Sequence, residues 1–457
     1  MKKITKHPIR ITADAFRTAL ILSGFTLYDN GEYPELEKTE LNLTVFEDPD
    51  MFRKPVLLQN GEYALRRQLL PFALSKMKQE GPVKAAAFGK VFDGEDAEYP
   101  AHMMVQGIIA CGLNLYDLNV LWKKIVKHAL GTAYEAELVK VSSAQKPADL
   151  ASWGADKLTD TTLTETNVWA ISVRDPEGET FTLGHTGTLT WLGGVLLGKE
   201  PETSFAFSID IDRAACRKFR LNSRSDLFDN TDGFLSRFTD DRSSVTESFE
   251  DRCRDTLRAL GYDEGFGMKL YPDGIYKKMN MIQDEWDLNN KGVLLKEPLG
   301  TGTGLPTVLT PAIEDILSRK WAAGETRAKA FEISHIFIPR QNSSPIEKLA
   351  VSFAAYGEDI DMASFTKDVG DFLTKIGNNN HFYIPTNMAI AYKTGECRLI
   401  LDEKMSYLGG NFGGMSEKAE QNFGIGTHGY MANLEILPLK NKAAEEYGYI
   451  APELREN

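Results

Sequence analysis

Paired cysteines and paired histidines are missing from this sequence. The four cysteines stand singly at Cys111, Cys216, Cys253 and Cys397, without a C-x-x-C pair. The seven histidines are dispersed and form no H-x-H or H-x-x-x-H pair. Zinc ribbons and disulfide frameworks depend on such spacings, so the sequence predicts neither. Ligand spacing therefore predicts no metal site.

Long basic clusters and long apolar runs are also lacking. The formal net charge is -13 and the pI is near 5.2, so no face for binding a phosphate backbone is predicted. The most apolar stretches, residues 19–22 and 105–113, are far shorter than the ~20 residues of a membrane span. His7-Pro8-Ile9-Arg10 stands where a secretory signal would have its apolar core. These absences predict a cytoplasmic protein without membrane association.

An ordered set of features occurs twice along the chain. Lys90 and His335 each lie near the end of an apolar, strand-like run. A glycine follows each of them by 22 residues, Gly112 in the first case and Gly357 in the second. Strand-like alternation precedes both glycines, at residues 103–110 and 349–356, and a helical pattern follows both, at residues 117–130 and 362–376. This common order predicts an internal duplication.

Shorter matches extend the repeat. Trp191-Leu192-Gly193-Gly194 matches Tyr407-Leu408-Gly409-Gly410. Gly178-Glu179 stands 13 residues before the first stretch, and Gly395-Glu396 stands 12 before the second. We expect these stretches to occupy equivalent places in two similar domains.

The repeat sets the predicted domains and fold class. The first half covers residues 1–230 and the second residues 248–457, with an acidic connecting segment at 231–247. In each half, strands come in runs with helices between them, without a strict β-α alternation. That order predicts an α+β fold with two tandem, largely antiparallel sheets flanked by helices.

Three stretches of the first half carry a family resemblance. The first has His7-Pro8 and a helix that ends in Gly24-Phe25. The second has Gly89-Lys90-Val91-Phe92, and the third runs from Ser204-Phe205-Ala206-Phe207 to Arg213. In order and spacing they resemble the three class II motifs of the α-subunit core of phenylalanyl-tRNA synthetase.

The second half resembles the catalytically silent core of the β subunit in the same family. The stretches that carry this are Gly292-Val293-Leu294-Leu295, Phe331-Glu332-Ile333 and the helical residues 368–377. No arginine follows residues 430–435, which stand where the third motif would be. The resemblance implies two fused class II cores, an α-like one and a silent β-like one, forming a pseudo-heterodimer within one chain.

The resemblance implies a catalytic, nucleotide-binding role for Arg213, the third-motif arginine. Amino-acid activation builds negative charge on the α-phosphate of ATP, and fixed guanidinium groups stabilise that charge. The alternative is an arginine at a helix terminus that forms a salt bridge with Asp210 or Asp212.

The second motif departs from the family pattern, because Asp93 stands where the resemblance places an arginine. Lys90 is the candidate substitute, with catalytic and nucleotide-binding roles, and a lysine at a strand edge is the alternative. Glu95 falls where the family keeps an acidic residue near the nucleotide amine, and a solvated loop is the alternative. Phenylalanine activation is therefore expected to be weak or absent.

The amino-acid pocket implied by the resemblance has four candidate residues: Gln68, Met104, Gln106 and His185. Gln106 keeps hydrogen-bonding capacity but lacks the charge that would hold an ammonium group. His102 is interpreted as a satisfied surface or core histidine in preference to a base.

Three functions follow from the resemblance. The first is a diverged paralogue that binds an amino acid or a nucleotide-like small molecule in its first half. An amino-acid-activating ligase that uses ATP and Mg²⁺ is the second, and a non-enzymatic scaffold or sensor is the third. No segment corresponds to the tRNA-holding modules of the family, so we expect weak or no tRNA binding. Self-association is compatible with all three.

Overall fold

A computed structural model describes most of the chain. The described residues are 5–28, 34–39, 45–46, 54–141, 167–199, 203–239, 248–281, 292–340, 343–386 and 391–447. The chain divides into two compact units. The first unit comprises residues 8–227 and 295–300, and the second comprises residues 1–7, 228–294 and 301–457.

The first unit is built on a seven-stranded sheet. Its strands are β1 (Thr26–Tyr28), β5 (Lys84–Phe92), β6 (Ala101–Ile109), β7 (Glu135–Val141), β8 (Val168–Arg174), β9 (Thr180–Thr188) and β10 (Phe205–Asp210). They lie in the order β1-β5-β6-β10-β9-β8-β7. The pair β1-β5 is parallel, and the other neighbouring pairs are antiparallel. A small sheet contains β2 (Leu36–Lys38), β4 (Tyr63–Leu65) and β3 (Val56–Leu57).

Helices cover both faces of this sheet. They are α1 (Pro8–Ile21), α2 (Leu70–Glu80), α3 (Leu115–Ala129), α4 (Trp191–Leu197) and α5 (Ile211–Phe219), followed by a 3-10 turn at Arg224–Phe228. One face packs on α3, where the rings of Trp122 and Phe207 lie 5.0 Å apart. The opposite face packs on α2 through a cluster that includes Leu70, Ala87 and Met104. We call this second face the polar face, because polar side chains also lie on it.

Local sequence explains where these helices begin and end. Pro71 lies in the first turn of α2, and Gly81 ends that helix with φ 75°. The Asn114 side chain caps α3 by accepting a hydrogen bond from the Asp117 amide. The Asp210 side chain caps α5 in the same way, through the amide of Arg213. The turn from β10 into α5 therefore fixes the position of Asp210.

The second unit repeats this strand order. Its large sheet has the order β11-β15-β16-β20-β19-β18-β17, and its first pair is parallel. The strands are β11 (Asp263–Glu264), β15 (Ala328–Ile338), β16 (Ile346–Tyr356), β17 (His381–Pro385), β18 (Arg398–Asp402), β19 (Tyr407–Gly414) and β20 (Gly429–Glu435). Three further strands are β12 (Tyr271–Pro272), β13 (Val293–Leu299) and β14 (Gly302–Leu305), and β12 pairs with β14. Residues 295–299 of β13 belong to the first unit.

The helices of the second unit are α6 (Asp232–Leu235), α7 (Phe249–Ala259), α8 (Ile275–Lys278), α9 (Thr310–Ala322), α10 (Met362–Lys375), α11 (Glu417–Phe423) and α12 (Ile436–Tyr447). One apolar core joins α7 and α10 to the sheet, with Phe353 and Phe372 at its centre. A second core lies under α9. No helix in the described ranges is long and apolar enough to cross a membrane.

The predicted α+β class, with two sheets flanked by helices, is confirmed. Both sheets are mixed, since each has one parallel pair at its edge. Residues 240–247 of the predicted connecting segment lie outside the described residues, whereas residues 232–235 form α6.

The predicted equivalence of residues 191–194 and 407–410 was wrong. Residues 191–194 begin α4, because the Thr190 side chain caps the Gly193 amide, whereas residues 407–410 begin β19. Gly178 lies in the turn between β8 and β9, but Gly395 precedes β18. A match of four residues does not determine secondary structure, since the flanking residues decide between cap and strand.

Candidate functional site

Three polar side chains lie side by side across the first sheet. Gln106 on β6 pairs with Ser208 on β10, and Ser208 pairs with His185 on β9. Directly paired residues point to the same side of a sheet, so all three lie on the polar face. All three are buried. The register thus brings together Gln106 and His185, two of the predicted pocket residues.

The hydrogen bonds of Gln106 are made within the protein. Its Oε1 accepts from the Leu69 amide at 2.5 Å, and its Nε2 donates to Ser208 Oγ at 3.0 Å. Gln106 therefore tethers the start of α2 to the sheet. Met104 packs in the apolar cluster beneath α2, and Gln68 is buried next to Leu69.

An aromatic ring of the chain itself covers part of the polar face. Phe46 is fully buried, and its ring lies so close to Gly187 on β9 that a Cβ there would be 2.5 Å from it. The carbonyl of Val45 accepts a hydrogen bond from the Thr190 amide at 3.0 Å, which holds this segment in place. Sequence reasoning missed Phe46, because residues 45–46 carry no periodic pattern. Its burial leaves less room for a ligand beside His185.

Arg213 lies in the first turn of α5. Its Nη1 donates to the Thr182 carbonyl at 3.0 Å, and its Nη2 lies 3.9 Å from Asp210 Oδ2. The side chain remains 38% exposed. The guanidinium is therefore oriented by protein contacts and still reaches solvent.

Lys90 and Glu95 are placed differently from the pocket residues. Lys90 pairs with Met103, so it lies on the face opposite Gln106. Its Nζ lies 3.8 Å from Oε1 of the buried Glu35. Glu95 is exposed in the turn after β5, where its amide donates to Asp93 Oδ1 at 2.9 Å. Neither residue joins Gln106 and His185 on the polar face.

A second polar group lies on the polar face at the start of β6 and the end of β10. His102, Asp210 and Asp212 each contribute one ligand atom to a set whose members lie within 4.8 Å of one another. His102 Nδ1 lies 3.9 Å from Asp210 Oδ2, and its Nε2 lies 3.6 Å from Asp96 Oδ2. These distances exceed those of hydrogen bonds.

Arg224 supports this group. Its Nε donates to Asp212 Oδ2 at 3.0 Å, and its Nη1 donates to Asp96 Oδ2 at 2.8 Å. Nη1 also donates to the Tyr99 carbonyl, and Nη2 donates to the Ala101 carbonyl. One guanidinium thus orients two carboxylates and joins the β5–β6 turn to α5.

The two aspartates at the start of α5 differ in their titration. Burial by itself would raise the pKa of Asp210, but His102, the Arg213 guanidinium and the Arg213 amide together hold that pKa below its usual range. Burial raises the pKa of Asp212, and the charge of Asp210 adds to the rise, while Arg224 opposes it.

Ligand spacing did not predict this cluster. Its members come from three elements, with Asp210 and Asp212 close in sequence and His102 on a neighbouring strand. An Asp-x-Asp pair at a strand end was the available signal. His102 was also expected to be satisfied, yet neither ring nitrogen makes a hydrogen bond within the part of the chain that the structure describes.

The fit of ATP and Mg²⁺ to these residues is partial. Arg213 could contact a phosphate group, because its guanidinium reaches solvent. The carboxylates of Asp210 and Asp212 lie beside it and would repel a phosphate unless a cation stood between them. A Mg²⁺ ion carried by the nucleotide would find its oxygen ligands in these two carboxylates.

A cavity of about 290 Å³ lies elsewhere in the first unit, between α3 and strands β7 to β9. Its lining residues are Lys123, Lys127, Glu135, Ala136, Glu137, Ser172, Arg174 and Thr180. The predicted site residues are not among them.

Comparison with known proteins relates the chain to one family of enzymes. Residues 236–436 match the family described as phenylalanyl tRNA synthetase beta chain CLM domain. The chain is 23% identical over 256 residues to the phenylalanine--tRNA ligase alpha subunit of Caldanaerobacter subterraneus subsp. tengcongensis, which covers 51% of this chain and 69% of that subunit. The alpha subunit of Lactobacillus delbrueckii subsp. bulgaricus is 23% identical over 250 residues, with 51% and 68% covered.

Proposed function

We propose, from the premise that this chain is phenylalanyl-tRNA-synthetase-like, that it is a diverged paralogue without ordinary phenylalanine activation. Its first half would instead bind an amino acid or a nucleotide-like small molecule on the polar face. The observation that carries the proposal is Asp93, a carboxylate directly after β5, where the resemblance places an arginine.

The charge at Asp93 opposes catalysis at the α-phosphate. A positioned guanidinium strengthens its hydrogen bonds as charge develops on the phosphate. Losing one such donor costs ~3–4 kcal/mol of transition-state stabilisation, roughly 100- to 1,000-fold in rate. Lys90 does not compensate in this geometry, because it lies on the opposite face and near Glu35.

The amino-acid side of the site supports the same conclusion. The side-chain amide of Gln106 is hydrogen-bonded to the Leu69 backbone amide and to the Ser208 hydroxyl. Phe46 lies against Gly187, in the region where an aromatic substrate would need space. The amide group of Gln106 is therefore already hydrogen-bonded, and it carries no charge that would hold an ammonium group.

Arg213 and His185 are the residues that we assign to ligand binding. The guanidinium of Arg213 would contact an anionic group, such as the phosphate of ATP or AMP or the carboxylate of an amino acid. His185 would line the buried end of the site. The catalytic roles of Arg213 and Lys90 and the nucleotide role of Glu95 belong to the alternative, an active ATP- and Mg²⁺-dependent ligase.

ATP–pyrophosphate exchange separates these functions. We expect no exchange above background with phenylalanine or the other standard amino acids, for the wild type and for Asp93→Arg. The single substitution should not restore activity, since the amino-acid side would stay incomplete. Robust phenylalanine-dependent exchange by the wild type would establish the active ligase.

Ligand binding is tested by thermal shift with ATP, AMP and phenylalanine. The wild type should be stabilised by at least one of them, and Arg213→Ala should reduce that shift. Lys140→Ala, an exposed cation on β7, is the control and should leave the shift unchanged. The absence of any shift would favour a scaffold, which the packing of Phe46 on the polar face also supports.

The two subunit types among the relatives bear on partners. We infer that the two units, with their common strand order, derive from related cores by duplication and act as a pseudo-heterodimer within one chain. With a net charge of -13, tRNA binding should be weak and salt-sensitive. Filter binding at physiological salt would contradict this if it gave sub-micromolar affinity. Sedimentation analysis tests self-association of the chain.

A further inference from the structure

We propose that His102, Asp210 and Asp212 bind a divalent transition-metal ion. The three residues come from β6, β10 and the first turn of α5, and one ligand atom of each lies within 4.8 Å of the others. The strands β6 and β10 are direct neighbours, and Asp210 caps α5. The sheet and the helix start therefore hold the ligand set on fixed elements.

The ring of His102 points to a ligand. Only 9% of the residue is exposed, and neither ring nitrogen makes a hydrogen bond among the described residues. Buried polar groups in proteins are nearly always hydrogen-bonded or coordinated. A histidine that donates to a carboxylate would bring its nitrogen within about 3 Å of the oxygen, whereas the distances here are 3.6 Å and 3.9 Å.

Each aspartate commits one oxygen to the protein. Asp210 Oδ1 accepts from the Arg213 amide at 2.9 Å, while its Oδ2 faces His102. Asp212 Oδ2 accepts from Arg224 Nε, while its buried Oδ1 has no hydrogen bond in the described structure. Such outer contacts orient metal ligands in proteins. The remaining oxygens, one per aspartate, are those we assign to the ion.

The chemistry of the ligands defines the class of ion. One imidazole nitrogen with two carboxylate oxygens suits Zn²⁺, Co²⁺ or Mn²⁺, and water would complete the coordination. Mg²⁺ and Ca²⁺ prefer oxygen ligands throughout and should bind more weakly.

The charges around the site are compatible with a cation. Three carboxylates face it, those of Asp96, Asp210 and Asp212, against the guanidinium groups of Arg213 and Arg224. The three carboxylates outnumber the two guanidinium groups by one, and a divalent cation would offset that excess.

The experiment uses the full chain, freed of metal with EDTA and titrated with Co²⁺ alone, so it does not depend on the proposed function. We expect one Co²⁺ per chain, with visible absorption from nitrogen and oxygen ligands, and displacement by Zn²⁺ but not by equimolar Mg²⁺. His102→Gln and Asp210→Asn should each weaken binding by more than ~100-fold, since even second-shell changes cost ~10- to 100-fold.

His428→Gln is the matched control. His428 also lies between two carboxylates, but it is hydrogen-bonded to one of them at 2.7 Å and should not contribute to binding. Thermal melts in EDTA check that each variant folds, and Asn at 210 can still cap α5. The proposal would be overturned if the wild type bound no Co²⁺, or if His102→Gln and Asp210→Asn both still bound it. If the variants do not fold, the wild type alone decides. A visible Co²⁺ spectrum that showed no nitrogen ligand would then overturn the proposal.

Discussion

Each unit of this molecule has a histidine between two carboxylates, and the two histidines are held differently. In the second unit, His428 Nδ1 lies 2.7 Å from Glu420 Oε1, and its Nε2 lies 3.3 Å from Glu396 Oε2. In the first unit, both ring nitrogens of His102 lie more than 3.5 Å from the nearest carboxylate oxygens. The arrangement around His428 is closed by hydrogen bonds, whereas the arrangement around His102 leaves space between its polar groups.

The polar rows of the two large sheets differ in the same direction. In the second sheet, paired positions carry Glu332, Ser352, Asn433 and Asn411. Lys269 donates to Glu332, and Tyr392 donates to Asn411 Oδ1 at 2.6 Å and accepts from Asn433. The row in the first sheet consists of Gln106, Ser208 and His185, and the same face also carries Asp210 and His102. Equal strand order thus supports hydrogen-bonded polar rows in both units, and in the first unit the same face also carries a candidate ligand site.

The largest effect on stability should come from removing the guanidinium of Arg224, which supports the group of His102, Asp210 and Asp212. Arg224→Met would leave the buried carboxylate of Asp212 without its partner, which typically costs about 3–5 kcal/mol. Urea-induced unfolding measures the loss. Arg220→Gln is the control, because its ion pair with Glu177 is exposed and should contribute less than about 1 kcal/mol. A loss as small as the control would indicate that Asp212 carries no charge in the folded protein.

A smaller effect of opposite sign is expected in the second unit. Glu314 is fully buried, and neither carboxylate oxygen has a hydrogen bond among the described residues. Burial, with the charge of Glu420, raises the pKa of Glu314 well above 4.5. Glu314→Met should therefore stabilise the protein by about 1–3 kcal/mol, whereas Glu314→Gln keeps a buried polar group and should gain little.

The pH dependence of Glu314 sharpens this test. A carboxyl whose pKa is raised on folding holds its proton longer in the folded protein, so stability falls as the pH rises above 4.5. In Glu314→Met, stability should fall less as the pH rises above 4.5, because this carboxyl is absent. Unfolding by urea at several pH values would show it. Equal gains at all pH values would mean that Glu314 does not titrate in this way.

The smallest expected effect concerns His428. Its hydrogen bond with Glu420 raises its pKa above 6.5, although burial opposes the rise, and Glu396 contributes further. The resulting stability is present below pH 6.5 and is lost as the pH rises through the folded-state pKa. We expect the wild type to lose about 1 kcal/mol more than His428→Gln over this range. An equal loss in the wild type and in His428→Gln would contradict this account.

Secondary structure was predictable where the pattern is local. The helical residues 117–130 correspond to α3, and residues 362–376 correspond to α10. The apolar run at 103–110 lies mainly in β6. Periodicity and caps involve neighbours within a few residues, so the sequence specifies them directly. The misplaced match at 191–194 shows the limit, since a cap at Thr190 outweighed four similar letters.

The sequence by itself determined the α+β class, the order of the elements in both halves and the resemblance to phenylalanyl-tRNA synthetase. Only the tertiary structure decided which side chains share a face: Lys90 is turned away from Gln106, Phe46 covers Gly187, and His102 meets two aspartates. Strand register and sheet order set these neighbours, and both arise from pairing between residues far apart in the chain. Because a shift of one residue moves a side chain to the other face, spacing along the sequence could not fix them.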